Sequence, residues 1–187
     1  MAEPSYLALL NTIAVNEKKG ELFLTAWADK TPDQDLAADL RFVAIREGEH
    51  AWAFTKRLCE LGCAVCEDDA FQVFADFDGL MDCVSSDTAD ADKVAYVSSL
   101  FTGGDGSDPF ATMFQDTSID PTTGALLGRY IAEERDSGRR LQAAYARISS
   151  ANGGLAARAS EAELDELKAS IKALRKEVKA LRKLQAA

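Results

Sequence analysis

Apolar residues recur at three- and four-residue intervals from Ser5 to about Asp29 with no proline inside the run, a pattern that predicts a first long helix. Its inward stripe reads Leu10, Ile13, Glu17, Gly20, Leu24 and Trp27. Thr31-Pro32-Asp33 then offers an N-cap and a first-turn proline, and the next periodic run ends at Gly62, a residue suited to the position just past a helix. This second helix carries Leu36, Leu40, Val43, Glu47, His50, Phe54 and Leu61 on one line, with Arg57 beside them. A connection this short between helices of roughly 40 Å, at ~1.5 Å per residue, forces them antiparallel. The pattern weakens over residues 67–118, where Asp-rich stretches, Ser85-Ser86-Asp87 and the glycine-rich loop Gly103–Ser107 interrupt it. Two shorter helices are expected there, at about 69–84 and 89–102. Asp120-Pro121 repeats the cap-and-proline signal and opens a long helix to about Ser150, with Leu127, Tyr130, Glu134, Ser137, Leu141, Ala144 and Ile148 on its stripe. Asn152-Gly153-Gly154 breaks it, and Ser160 with Glu163 forms a capping box for a last helix. No stretch alternates apolar and polar residues between hairpin turns, so the expected class is all-α: a helical bundle over residues 1–150 and a C-terminal helix over 151–187.

The 187 residues allow one domain of ordinary size plus an appendage, and 47% apolar residues suffice for a sizeable core. A net charge of −10 repels phosphate backbones, which argues against nucleic acid as a partner. The charge is unevenly spread: residues 151–187 hold 8 Lys/Arg against 5 Asp/Glu, whereas residues 1–150 hold 26 acids against 13 bases. No uncharged apolar run approaches the ~18–20 residues of a membrane helix, and the start Met-Ala-Glu-Pro lacks a basic leader. A cytoplasmic chain with reduced thiols and no membrane partner is therefore expected.

Each of the three long stripes is interrupted near its middle by an acid: Glu17, Glu47 and Glu134. The chain's one histidine, His50, falls on the same face as Glu47, three residues on. A carboxylate taken into a protein interior costs several kcal/mol even after relaxation, so such a group requires a compensating cation. That cation is either a basic side chain, with Lys18, Arg41, Arg46 and Arg135 as candidates, or a metal. Carboxylates with an imidazole suit iron or manganese better than the thiolate-rich sites of structural zinc.

The segment Ala44-Ile45-Arg46-Glu47-Gly48-Glu49-His50-Ala51 resembles the Glu-x-x-His segment of the ferritin-like superfamily, in its rubrerythrin-like branch. Glu17, thirty residues upstream and followed by Gly20 and Trp27-Ala28, is similar to the single glutamate of that family's first helix. The resemblance covers residues 5–62 well and the rest only in outline. It implies a ferritin-like four-helix bundle with iron, mono- or dinuclear, or manganese bound by Glu17, Glu47, His50 and Glu134. It also implies a ferroxidase- or peroxidase-type oxidoreductase, with an external electron donor if the centre is redox-active. The sequence departs from the family twice. Ser137 stands where a second Glu-x-x-His starting at Glu134 would place histidine, and no glutamate occurs between Glu67 and Glu133. Completing a dinuclear set would need Asp78, Asp82 or Asp92, or Glu133 beside Glu134.

Other signals are weaker. Cys59, Cys63 and Cys66 with Cys83 do not make two chelating pairs, and they read as small apolar residues near a loop. The loop Gly103–Asp108 lacks the ligand order of a calcium site, and no P-loop lysine follows it. With the only histidine on the second stripe, a nucleophilic triad has no base. In the last helix Leu164, Leu167, Ile171, Leu174, Val178 and Leu181 alternate three and four apart, with Glu163 and Glu177 at g and Lys168 and Arg182 at e. That heptad favours a parallel two-stranded coiled coil and hence a homodimer. The alternative function is a metal-free, degenerate helical bundle acting as a dimeric adaptor through this coiled coil.

Overall fold

A computed structural model describes residues 6–100, 110 and 116–151 of the chain. The regular elements among the described residues are all helices, with no strand. The elements are α1 (Leu7–Lys30), α2 (Gln34–Glu60), α3 (Phe77–Ser85), α4 (Asp90–Leu100) and α5, residues 121–151. The chain divides into two compact units, Met1–Ala146 and Arg147–Ala187. In the second unit only residues 147–151 are described, and they are helical. The expected coiled coil, with its capping box at Ser160 and Glu163, lies outside the described residues, as does the loop Gly103–Asp108.

Local chemistry explains the helix ends. The cap of α2 is Asp33, whose side chain accepts from the Leu36 N–H at 2.8 Å, so the start falls two residues beyond the expected Thr31 cap, and Pro32 precedes the helix. Thr31 is used otherwise: its hydroxyl and the Trp27 indole N–H both donate to Asp90 at the start of α4, at 2.5 and 2.8 Å. At the other end of α2 the Cys63 N–H donates to the Leu58 carbonyl and the Gly62 N–H to that of Cys59. This is a Schellman closure, and it requires the positive φ of 81° that Gly62 adopts. Asp120 caps α5 as expected, accepting from the Thr123 N–H at 3.1 Å, with Pro121 in the first turn.

The third helix differs more. It begins at Phe77, eight residues later than the periodicity suggested, because the preceding segment is spoken for by α1. Asn11 exchanges hydrogen bonds with the backbone of Cys66, and Asn16 holds the Phe71 carbonyl and the Val73 N–H. Thr12 accepts from the Phe71 N–H. These side chains satisfy backbone groups that a helix would have paired internally.

α1 and α2 pack antiparallel. The pairs 17/50 and 20/47 face each other, so the hairpin's midpoint lies near Asp33 and Gln34. α5 runs parallel to α1, with Tyr6 bonded to Asp120, Tyr130 to Glu17, and Tyr145 stacked on Trp27. It is antiparallel to α2, where Arg57 meets Thr123 and Asp120, and Arg140 meets Asp39. Where the start of α1, the end of α2 and the start of α5 meet, Leu10, Ile13, Phe54, Leu58, Leu127 and Tyr130 form an apolar core. Each fully buried Leu or Phe there is worth about 1.5–3 kcal/mol relative to exposure. The α1 stripe is buried throughout, whereas on α2 Leu58 takes the inward place expected of Leu61.

Candidate metal centre

The mid-stripe acids of α1 and α5 converge on the histidine of α2. One ligand atom from each of Glu17, His50 and Glu134 lies within 4.8 Å of the others, and both Glu17 and His50 are buried. Among the described residues this is the one such grouping of three. Three helices each supply one donor because the antiparallel register sets position 17 opposite 50, while α5 brings position 134 alongside.

His50 is held on both sides. Its Nδ1 donates to Glu17 Oε2 at 3.0 Å, and Nε2 donates to Glu133 Oε2 at 2.9 Å. Burial by itself would lower the imidazole pKa, but the contacts with the carboxylates of Glu134, Glu17 and Glu133 outweigh it and push the value up to about 10. In the metal-free protein His50 is therefore an imidazolium, the cation nearest the acids. Glu134 Oε1 lies 3.3 Å from Nδ1, whose single proton already points at Glu17. It is left as a buried oxygen with no hydrogen bond. Burial raises the Glu134 carboxyl pKa, an effect that the His50 charge 3.3 Å away only partly offsets. Glu17 accepts a second hydrogen bond, from the Tyr130 hydroxyl at 2.9 Å. Burial and the neighbouring acids push the Tyr130 phenol upward, so it remains a donor.

Glu47 stands at the edge of this group, its carboxyl lodged over Gly20. A Cβ at position 20 would lie 2.5 Å from Glu47 Oε2, so the missing side chain is what admits the carboxylate. Burial first, then the charges on Glu17 and Glu134, push its pKa well above the ordinary carboxylate range. Of the four residues expected from sequence, Glu17, His50 and Glu134 thus meet directly, and Glu47 adjoins them.

Glu133 acts from the far side of the imidazole. Burial tends to raise its pKa, but His50 and Arg129 bring it below the usual value. Asp78, Asp82 and Asp92 are exposed on α3 and α4 and do not join the cluster. Where the family resemblance would put a second histidine, Ser137 is buried and accepts from Arg46 Nη1 at 3.1 Å. The same nitrogen donates to the Glu133 carbonyl and to Asp136, each at 3.0 Å. Of the other basic candidates, Lys18 pairs with Glu21 and Arg41 with Asp29, both outside the cluster. The parts that sequence reasoning left unassigned are Tyr130, Gly20 and the orienting use of Glu133. Tyr130 and Gly20 carried a signal, since each lies on an inward stripe within one turn of an acid. The four cysteines are free thiols, with Cys59 and Cys66 exposed.

The donor set fits a hard to borderline divalent cation. Two glutamates and one imidazole supply oxygen and nitrogen, a buried Glu134 oxygen has the His50 charge beside it but no hydrogen bond, and Gly20 leaves room for a further carboxylate. Comparison with known protein families, curated proteins and solved structures finds no match to this chain.

Proposed function

We propose that this chain is a ferritin-like metalloprotein whose bundle, with α3 and α4 sharing the place of one long helix, binds iron or manganese through Glu17, His50 and Glu134, with Glu47 as an adjoining carboxylate. The observation that carries the reading is the buried Glu134 oxygen without a hydrogen bond, set among donor atoms from three helices. A bound iron ion would supply one-electron chemistry toward oxygen or peroxide, or would itself be the substrate of oxidation. The chain's own part is electrostatic and positional. Glu17 and Glu134 would balance the cation's charge, and His50 would serve as the nitrogen donor once its Nδ1 proton has passed to solvent. Its Nε2–H stays on Glu133, which holds the ring's orientation and tautomer. Tyr130 keeps Glu17 in place by donating to its other oxygen. Arg46 and Ser137 occupy the position of a second histidine, which favours a single ion over a pair. Electrons for a redox cycle would come from another protein or from iron. The C-terminal heptad supports a homodimer, and we place the protein in the cytoplasm.

The competing reading is the metal-free adaptor, and the observation on its side is that the His50 imidazolium already bridges Glu17 and Glu133. The test is metal content and iron-oxidation rate after anaerobic iron loading, for the wild type beside His50→Ala and Glu47→Ala. Stoichiometric metal in the wild type, lost in His50→Ala, supports the metalloprotein. A wild type that stays metal-free, or a His50→Ala variant that binds as well, leaves the adaptor.

A further inference from the structure

A cavity of about 660 Å³ runs between α1, α4 and α5, within the usual size of a small-molecule site. Its walls are mostly apolar, with Ile13, Phe23, Phe74, Val97 and Leu141 among them. One stretch of wall is different in kind: Glu17, Glu47 and Glu134 face the same space, so the proposed metal centre forms part of the lining. Iron ions or peroxide alone would not call for so much apolar surface. We propose that the cavity takes a small apolar molecule with a neutral oxygen head, a hydroxyl or a carbonyl, and presents that head to the metal centre.

The head follows from the charges. With Glu17 and Glu134 balancing a divalent cation and burial holding Glu47 toward its neutral form, an anionic head would leave an uncompensated negative charge in an apolar cavity, whereas a neutral hydroxyl or carbonyl can turn its lone pairs to the cation. The remainder of the molecule is chosen by area removed from water, the main source of affinity in an apolar site. This inference names the substrate class of the proposed centre and rests on the metal reading. Gly138 offers a way to test the two apart. It lies on the cavity wall, and a Cβ built there meets no atom of the described residues within 4 Å. Gly138→Leu is therefore expected to take up part of the cavity, and it replaces a poor helix former by a good one.

The experiment uses the full chain loaded with manganese, with n-octanol as the probe. Manganese binding is measured first, from the loss of the free-ion paramagnetic resonance signal, and the proton relaxation of n-octanol is then followed in the same samples. The wild type is expected to bind manganese and to broaden the octanol protons beside the hydroxyl more than those of the terminal methyl. Gly138→Leu is expected to bind manganese equally and to weaken octanol binding by about tenfold or more. Octanoate is expected to broaden less than octanol. Manganese binding without octanol broadening overturns the cavity inference and leaves the metal reading intact. Equal broadening at both ends of octanol, stronger broadening of octanoate, or unchanged octanol binding in Gly138→Leu also overturns it. Absence of manganese binding removes the metal reading and this inference with it.

Discussion

At the scale of single residues, the site is a problem of surplus negative charge. Glu17, Glu133 and Glu134 surround one imidazole, so His50 stays protonated as their counter-ion, and the proposed metal would have to displace that proton. In the proposed centre Glu133 would decide how well His50 works as a ligand, because its hydrogen bond to Nε2 selects the tautomer with Nδ1 free. Glu133→Gln is expected to weaken manganese affinity by about 10–100-fold while leaving the fold intact, as outer partners of ligating histidines do. Unchanged affinity in a calorimetric titration would show that the ring needs no such support. Gly20 makes a second residue-scale case. Alanine there gains roughly 1 kcal/mol of helix propensity but meets the Glu47 carboxyl. Since the obstructing atoms end a flexible side chain, the expected result for Gly20→Ala is a melting temperature close to the parent's with a clearly lower metal affinity. A variant that melts much earlier would mean that Glu47 cannot move aside.

At the scale of elements, the capping interactions set where helices begin and how they are joined. Asp120 accepts from Thr123, Tyr6 and Arg57, so the cap of α5 also ties it to the start of α1 and the end of α2. The bonds from the Thr123 hydroxyl and backbone come first, followed by Tyr6 and Arg57, and together they hold this carboxyl well below its ordinary 3.8. A carboxylate with a depressed native pKa stabilises the fold above its unfolded value, and that contribution disappears as pH falls toward the native one. Asp120→Ala is therefore expected to lower the urea midpoint at neutral pH, with the gap to wild type narrowing once the pH drops below about 4. A gap that stays constant down through the acid range would assign the loss to packing rather than to the charged cap. The α1 asparagines work differently: they pin a non-helical segment, and this is why α3 is shorter than its apolar periodicity suggests.

At the scale of the whole molecule, residues 1–150 are acidic and residues 151–187 basic, so the two stretches differ in electrostatic character. If the heptad pairs two chains, sedimentation at micromolar concentration gives twice the 20.2 kDa chain mass, and Leu174→Lys returns it to one. Metal content per chain is expected to be the same in both forms, because all the proposed ligands belong to one bundle. A monomeric wild type would refute the pairing without touching the metal site.

The long helices were legible in the amino-acid sequence because their apolar stripes, prolines and terminal glycine act through neighbours within one or two turns. The acids at positions 17, 47 and 134 stood out for the same reason, as charges on faces that had to be buried. What happens between helices was not legible. That Arg46 reaches Ser137, that Glu133 turns to His50 Nε2, and that Gly20 makes room for Glu47 all depend on the register and rotation of three packed helices. Likewise, Asn11 and Asn16 looked like ordinary polar residues until the segment they hold came to lie beside them. Local periodicity determines which face turns inward; only the packing of distant segments decides which groups meet there and which buried oxygen goes without a hydrogen bond.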